Sequence, residues 1–339
     1  MPGKILVTGG TGFIGSHTCV VLLENDYDVL IVDNLSNSNV EVVDKIAQIT
    51  GKTPHFTKLD LCDEKSLTDF FTDNPGIDGV IHFAAYKAVG ESSEFPLKYY
   101  HNNLLGMINL LKTMDQAGCD KMVFSSSCTV YGQPDVLPVT EDAPLKKAFS
   151  PYGNTKKICE DILQDQVGST ALKGIALRYF NPIGAHESAL IGELPLGIPN
   201  NLVPYLTQTA IGKRESLKVF GNDYNTHDGT GIRDYIHVMD LARAHLDAIN
   251  RLISKKYKEE YEIFNLGTGT GYSVLDIILT FEKVNGVKVN YEFVDRRPGD
   301  IEKVWADPSK ANSELGWKAE SGLEDMLRSA WKWEKSLLK

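Results

Sequence analysis

Lys4-Ile-Leu-Val-Thr8, followed at once by Gly9-Gly-Thr-Gly-Phe-Ile-Gly15, is the stretch on which the fold turns. A short, continuously apolar run reads as a strand buried on both faces. Three glycines at three-residue spacing then open a helix. At Gly9, Gly12 and Gly15 no Cβ obstructs a phosphate oxygen approaching the first helical amides, and the positive end of the helix dipole faces it. A glycine triplet alone also suits a purely structural turn. Asp33 strengthens the nucleotide reading, because it ends a second strand, Asp28-Val-Leu-Ile-Val-Asp33. A carboxylate there accepts from both adenosine ribose hydroxyls and repels a 2′-phosphate, so the expected cofactor is NAD rather than NADP. Asp60 sits where a carboxylate can meet the adenine amino group, although a loop cap would explain it too.

The same alternation continues outward. Gly79-Val-Ile-His-Phe83, Lys121-Met-Val-Phe-Ser125 and Gly174-Ile-Ala-Leu-Arg178 are further buried strands, with helical spacing at 14–25, 40–49, 64–72, 97–117 and 152–166. Repeated β–α units force a parallel sheet with right-handed crossovers. The expected fold class is α/β, a Rossmann-type doubly wound parallel sheet with a smaller C-terminal α/β substrate domain. After Pro182 the chain becomes rich in Gly, Pro and Asn, so residues 1–182 are expected to form the NAD-binding domain and 183–339 an interleaved substrate domain. Residues from about 232 to 252 are expected to return to the first domain, with Asp240 capping a helix there.

Composition narrows the function classes. At 339 residues the chain is long enough for about two domains, and no apolar run approaches the ~18 residues of a membrane span. The N-terminal stretch lacks the long apolar segment of a signal peptide, so cytoplasmic placement is the expectation. A formal charge of −10 argues against a nucleic-acid surface but not against a few arginines gripping a small anion. The five cysteines and eight histidines show no metal-ligand spacing, and no metal is expected.

Tyr152-Gly-Asn-Thr-Lys156 carries the chemistry. On a helix the phenol and the ammonium share one face, about 6 Å apart along the axis. A free phenol is a poor base at neutral pH, with a pKa of about 10. One positive charge at ~4 Å is worth roughly 4 kcal/mol at an effective dielectric of 20, before desolvation, which would lower that pKa by about two or three units. Tyr-x-x-x-Lys occurs by chance in many helices. Here, however, Ser125-Ser-Ser127 ends a strand of the dinucleotide fold, where parallel sheets place binding groups. Ser127 could bridge a substrate oxygen and the phenol, giving the catalytic set Ser127, Tyr152 and Lys156.

These residues resemble the extended short-chain dehydrogenase/reductase superfamily and, within it, the UDP-galactose 4-epimerases over essentially the whole chain. The resemblance also rests on Phe124-Ser-Ser-Ser-Cys-Thr-Val-Tyr-Gly132, Arg178-Tyr-Phe-Asn-Pro-Ile-Gly-Ala-His186, Gly197-Ile-Pro-Asn-Asn-Leu202 and Asp228-Gly-Thr-Gly-Ile-Arg-Asp-Tyr-Ile-His-Val238. It implies that Tyr152 is the base, Lys156 its electrostatic partner and nicotinamide-ribose ligand, and Ser127 the proton bridge. It implies NAD contacts from Gly9, Gly12, Phe13, Ile14 and Gly15, from Asp33, Asn34, Asn37 and Ser38, and from Asp60 and Leu61. Phe83, Ala84, Ala85, Lys87, Asn102 and Phe180 complete that set. A UDP-sugar would meet Asn181, Asn201, Leu202, Phe220, Arg233, Arg297 and Asp300, in addition to Ser127 and Tyr152. A homodimer is implied by the family alone.

The expected reaction is reversible epimerisation at C4 of UDP-galactose and UDP-glucose through a 4-keto sugar. Related dehydratases carry an Asp-Glu pair for elimination, where this chain has Cys128-Thr129, and the glutamate of the decarboxylating relatives is missing too. A non-catalytic NAD sensor would have no use for Ser127, Tyr152 and Lys156 together. At the position where many bacterial relatives have a bulky tyrosine beside the sugar, this chain has Val304, which leaves room for an N-acetyl group at C2. Asn265-Leu-Gly-Thr-Gly-Thr-Gly271 looks like a second nucleotide loop. It reads better as a strand-to-helix turn, with Ser273-Val-Leu-Asp276 as a helix-start box.

Overall fold

The computed structural model describes residues 3–297 and 300–338. The chain begins with β1 (Lys4–Thr8), α1 (Phe13–Glu24), β2 (Asp28–Asp33), α2 (Glu41–Thr50), β3 (His55–Lys58), α3 (Glu64–Asp73) and β4 (Gly79–His82). Then come α4 (Val89–Glu94), α5 (Pro96–Tyr100), a π-turn at His101–Leu105, α6 (Gly106–Ala117), β5 (Lys121–Ser127), α7 (Pro151–Ser169) and β6 (Lys173–Tyr179). The 97–117 stretch is therefore interrupted helix, since the π-turn breaks its register. Strand β3 escapes a search for apolar runs, because His-Phe-Thr-Lys is an edge strand with mostly exposed side chains.

The second half contains β7 (Asn181–Ile183), α8 (Leu202–Ala210), β8 (Leu217–Phe220), β9 (Ile232–His237), α9 (Val238–Ile253) and β10 (Tyr261–Leu266). It ends with β11 (Gly271–Ser273), α10 (Val274–Asn285), β12 (Tyr291–Val294), β13 (Lys303–Val304) and α11 (Leu323–Ser336). The main sheet has seven strands in the order β3-β2-β1-β4-β5-β6-β10. Every neighbouring pair in it is parallel.

Two strands and one helix cap of the second half differ from the sequence expectation. Strand β9, expected with the returning segment, pairs with β7, β11 and β13 in a small separate sheet. Helix α9 does return, packing on α1, and β10 completes the main sheet beside β6. Asp240 does not cap α9. The N-cap is His237, whose Nδ1 accepts from the Met239 amide at 3.0 Å, while Asp240 is buried inside the first turn and accepts from Ser321 N at 3.0 Å.

The core explains why α1 is apolar on nearly every side. It packs on the sheet between its neighbours α9 and α2, so Val20 and Leu22 are fully buried along with Ile5, Val7 and Ile31 below them. Each such side chain contributes about 1.5–3 kcal/mol by burial. A second cluster on the opposite face joins Leu6, Val80 and Phe124 to Leu67, Leu110 and Leu163. The two covered faces hold the carboxyl ends of β1, β4 and β5 rigidly at one edge, and the strand order reverses between β1 and β4. Such a reversal leaves a crevice.

Candidate active site

The glycine loop lies at that reversal. Gly9 has φ +70°, where a side chain would strain the backbone. A Cβ at Gly15 would meet the Gly9 carbonyl oxygen at 2.3 Å, so only glycine lets α1 begin this close to the loop. Gly12 is the N-cap, with no side chain on the free amides and no acidic residue in the first turn. Anion binding at such a helix start is favoured by both geometry and dipole.

Asp33 at the end of β2 is buried and organises the adjacent turn. It accepts from Leu35 N at 2.9 Å, Ser38 Oγ at 3.1 Å and Thr11 N at 3.3 Å. Asn34 Nδ2 reaches Asp60 Oδ2 at 3.2 Å, which brings the two expected adenosine carboxylates to one end of the crevice. Phe83 follows β4, its amide donating to Thr8 O at 3.0 Å and its ring packed on His245. Thr8 Oγ1 and His82 Nδ1 are 2.7 Å apart, and burial pulls the His82 pKa down to about 3, so that imidazole is a neutral structural bond. The glycine cradle, bare helix start and paired carboxylates fit a dinucleotide without a 2′-phosphate.

Helix α7 brings the expected catalytic set together. Ser150 caps it, accepting from Gly153 N at 3.1 Å, and Pro151 occupies the first turn, where its missing N–H costs nothing. Tyr152 and Lys156 are buried on one face of this helix, toward the end of β5 that carries Ser127. Lys156 Nζ donates to Ser125 O at 2.6 Å. Burial holds its ammonium down to about 8, and Cys159 and Glu160 partly oppose the shift.

The phenol departs from the electrostatic expectation. Burial raises the Tyr152 pKa well above the usual value and Tyr179 pushes it further, while a hydrogen bond with Ser127 acts the other way. In the polypeptide itself, desolvation therefore outweighs the hydrogen bond with Ser127.

Most of the residues expected to hold a UDP-sugar come from the second half of the chain. Asn181 begins β7, and Phe180 is buried beside it. Asn201 and Leu202 open α8, and Asn201 Nδ2 donates to Glu193 Oε1 at 2.6 Å, which also takes Lys87 Nζ at 3.1 Å. Arg297 lies over the Phe220 ring at 3.8 Å. Arg233 does not stand free: it pairs with Asp300 and donates to Ile301 O at 2.7 Å. Val304 is only 1% exposed and packs with Phe180, Tyr131 and Ala306.

Asn102 sits in the π-turn and donates to Asn103 Oδ1 at 2.9 Å. The second glycine run is no nucleotide loop. Its amides at Thr268 and Gly269 already donate to the buried Asp234 carboxylate at 2.9 and 3.1 Å. Ser273 and Asp276 form the reciprocal cap read from the sequence. Among the described residues, His227, Asp228 and Asp276 form a metal-capable surface group, but Ser273 already bonds to both carboxylates. Sequence reading missed Asp234, Glu193 and the Glu160–Arg178 pair, because a buried carboxylate looks like any surface one until its partners are placed.

Comparison with known proteins bears on this arrangement. A family model described as GDP-mannose 4,6 dehydratase matches residues 6–330. The chain is 54% identical to UDP-glucose 4-epimerase of Bacillus subtilis, over 98% of this chain and 97% of the relative. The chain belongs to the UDP-glucose 4-epimerase family. A solved UDP-glucose 4-epimerase from Stenotrophomonas maltophila with bound NAD and formylated UDP-arabinopyranose superposes with a TM-score of 0.95 at 49% identity, covering 99% of both chains. The Bifidobacterium longum enzyme in complex with NAD+ and UDP gives 0.94 at 48% identity, covering 98% of both. In this epimerase-family chain, Cys128 and Thr129 occupy the places after Ser127 where a dehydratase would have its carboxylates.

Proposed function

We infer that this site interconverts UDP-galactose and UDP-glucose at C4, with NAD held through the cycle. The observation that carries this reading is the convergence of Ser127, Tyr152 and Lys156 at the carboxyl end of β5, beside a glycine cradle, with no acid following Ser127. When bound, NAD would supply the hydride acceptor and donor for C4. Tyr152 takes the proton of the 4-hydroxyl and later gives it back. Ser127 relays it between substrate oxygen and phenol. Lys156 contributes the positive charge that favours the phenolate, a role confined to pH values where it remains protonated. Arg233 and Arg297 offer planar, fixed-charge forks for the diphosphate. Asp300 would give up its bond to Arg233 for the uridine ribose.

Finer readings go with this one. Residues 1–182, with α9 and β10, form the cofactor half, and the remainder forms the sugar-nucleotide half. Val304, where a tyrosine would be bulkier, supports a site that also accepts UDP-N-acetylhexosamines. A solved UDP-Glc/GlcNAc 4-epimerase from Campylobacter jejuni shares the fold at TM-score 0.84 and 37% identity. A homodimer is supported by the exposed apolar side chains Val89, Phe95, Leu97 and Ile108 on and around α4 to α6. Five unpaired cysteines suit a reducing compartment, hence the cytoplasm. No helix among the described residues is long and apolar enough to cross a membrane.

The decisive assay supplies purified protein with UDP-galactose and no added NAD. UDP-glucose formation supports the reading. A 4-keto-6-deoxy product would overturn it in favour of dehydration, a pentose formed from UDP-glucuronate in a parallel reaction would favour decarboxylation, and NAD binding without turnover would leave a sensor.

A further inference from the structure

Glu160 has no part in the scheme above, yet it completes the same helical stripe. Tyr152, Lys156 and Glu160 are spaced four residues apart on α7, and Glu160 is 3% exposed. A carboxylate this buried needs partners. Arg178 on β6 supplies two bonds, Nε to Oε1 at 2.9 Å and the terminal nitrogen to Oε2 at 2.6 Å. Ser126 Oγ supplies a third, to Oε1. Arg178 continues to the Tyr131 hydroxyl at 3.0 Å, and Tyr131 to Asn265 on β10 at 2.7 Å. One chain of bonds thus ties α7 to β5, β6 and β10. Ser126 lies between Ser125, whose carbonyl holds Lys156, and Ser127.

We propose that Glu160 is a positioning residue for the epimerisation, locking α7 against β5 through Ser126 and keeping Lys156 in its ammonium form. The first role sets the spacing of Tyr152 and Ser127, because those two side chains hang from the two elements that Glu160 joins. The second follows from the groups around the ammonium. On α7 these are Cys159 and Glu160, and Arg178 of β6 lies beyond them as the ion-pair partner of Glu160. On β4 there is His82, and on β5 the Ser125 carbonyl and the Phe124 ring. Burial keeps His82 neutral and pushes the Cys159 thiol up to about 12, so Glu160 is the negative charge that faces the lysine. The inference rests on Tyr152 and Lys156 being the acid–base pair.

The test measures kcat and KM against pH for UDP-galactose with the purified holoenzyme. Glu160→Gln keeps the side-chain size and removes the charge. Its alkaline limb should move about one unit to lower pH, an extra loss of about five-fold in kcat at pH 8, with KM little changed. Ser126→Ala should lower kcat several-fold across the whole range and leave the limb in place. Glu160→Gln orphans Arg178 and is at risk of misfolding. If it misfolds, Glu160→Gln/Arg178→Met is measured instead and should shift the limb in the same direction. An unmoved limb in the glutamine variant that folds, or undiminished kcat in Ser126→Ala, overturns the proposal. Tyr152→Phe is assayed alongside. Its full activity would sink the parent reading instead, which separates the two failures.

Discussion

Lys156 Nζ is anchored to the Ser125 carbonyl at 2.6 Å, on the strand that carries Ser127. The ammonium is therefore held in place by β5 as well as by its own helix, and it pays for that position in desolvation. Burial brings its pKa down to about 8. In the proposed mechanism the charged lysine favours the phenolate below that pH, and the neutral lysine above it gives no such help. Epimerisation measured as kcat should fall as pH rises through about 8, and a profile flat to pH 10 would contradict this.

The same burial makes Lys156 a stability liability. A lysine whose folded pKa lies below its unfolded 10.5 binds fewer protons when folded, so its penalty is complete below about pH 8 and fades as pH rises toward 10.5. Lys156→Met should therefore abolish most activity yet stabilise the fold at neutral pH by up to ~3 kcal/mol. Denaturant unfolding at pH 7 and pH 10 should show the larger gain at pH 7.

Tyr152→Phe removes the proton carrier and leaves the ring packing. We expect kcat to drop between about a hundred- and ten-thousand-fold while NAD remains bound. Cofactor content after purification, measured beside kcat, checks both halves of the expectation.

Asp33 both faces the crevice and holds the 33–38 turn through Leu35 and Ser38. Asp33→Ala should weaken NAD by about ten- to a hundred-fold, the worth of a charged hydrogen-bonding group. It should also narrow the preference over NADP. Titrating both cofactors against the cofactor-free protein reads the ratio directly.

Gly15→Ala tests the cradle itself. Its methyl would sit 2.3 Å from the Gly9 carbonyl oxygen, which forces the loop and α1 apart. A stability loss of about 1–3 kcal/mol, with loss of retained NAD, is expected from thermal unfolding and cofactor analysis.

Val304→Tyr probes the sugar wall. Turnover of UDP-N-acetylgalactosamine should fall at least about ten-fold more than that of UDP-galactose, roughly what lost room for one small group costs. Equal loss on both substrates would mean that the tyrosine merely overpacks the cluster with Phe180 and Tyr131.

The buried strands were legible because a parallel strand covered on both faces must be apolar throughout, as β1 and β4 are. The apolar pattern did not mark strand β3, since an edge strand exposes most of its side chains. The 97–117 helix hid a π-turn, because a shift of hydrogen bonds by one residue leaves the composition unchanged. The cap at Ser273 was legible because both partners lie three residues apart. Arg233 was legible as a cation; its bond to Asp300, distant in sequence, was not.

By itself, the sequence determined the glycine-loop strand, the Tyr152–Lys156 stripe and the absence of an acid after Ser127. Each depends only on local spacing. Tertiary structure alone decided that β10 joins the main sheet, that Asp234 fills the second glycine loop and that Arg178 and Ser126 hold Glu160. Those are pairings between distant segments, and burial sets the balance of forces on the phenol. Spacing placed the lysine one turn from the tyrosine, but only the packed interior shows that burial raises the pKa of the phenol despite its hydrogen bond with Ser127.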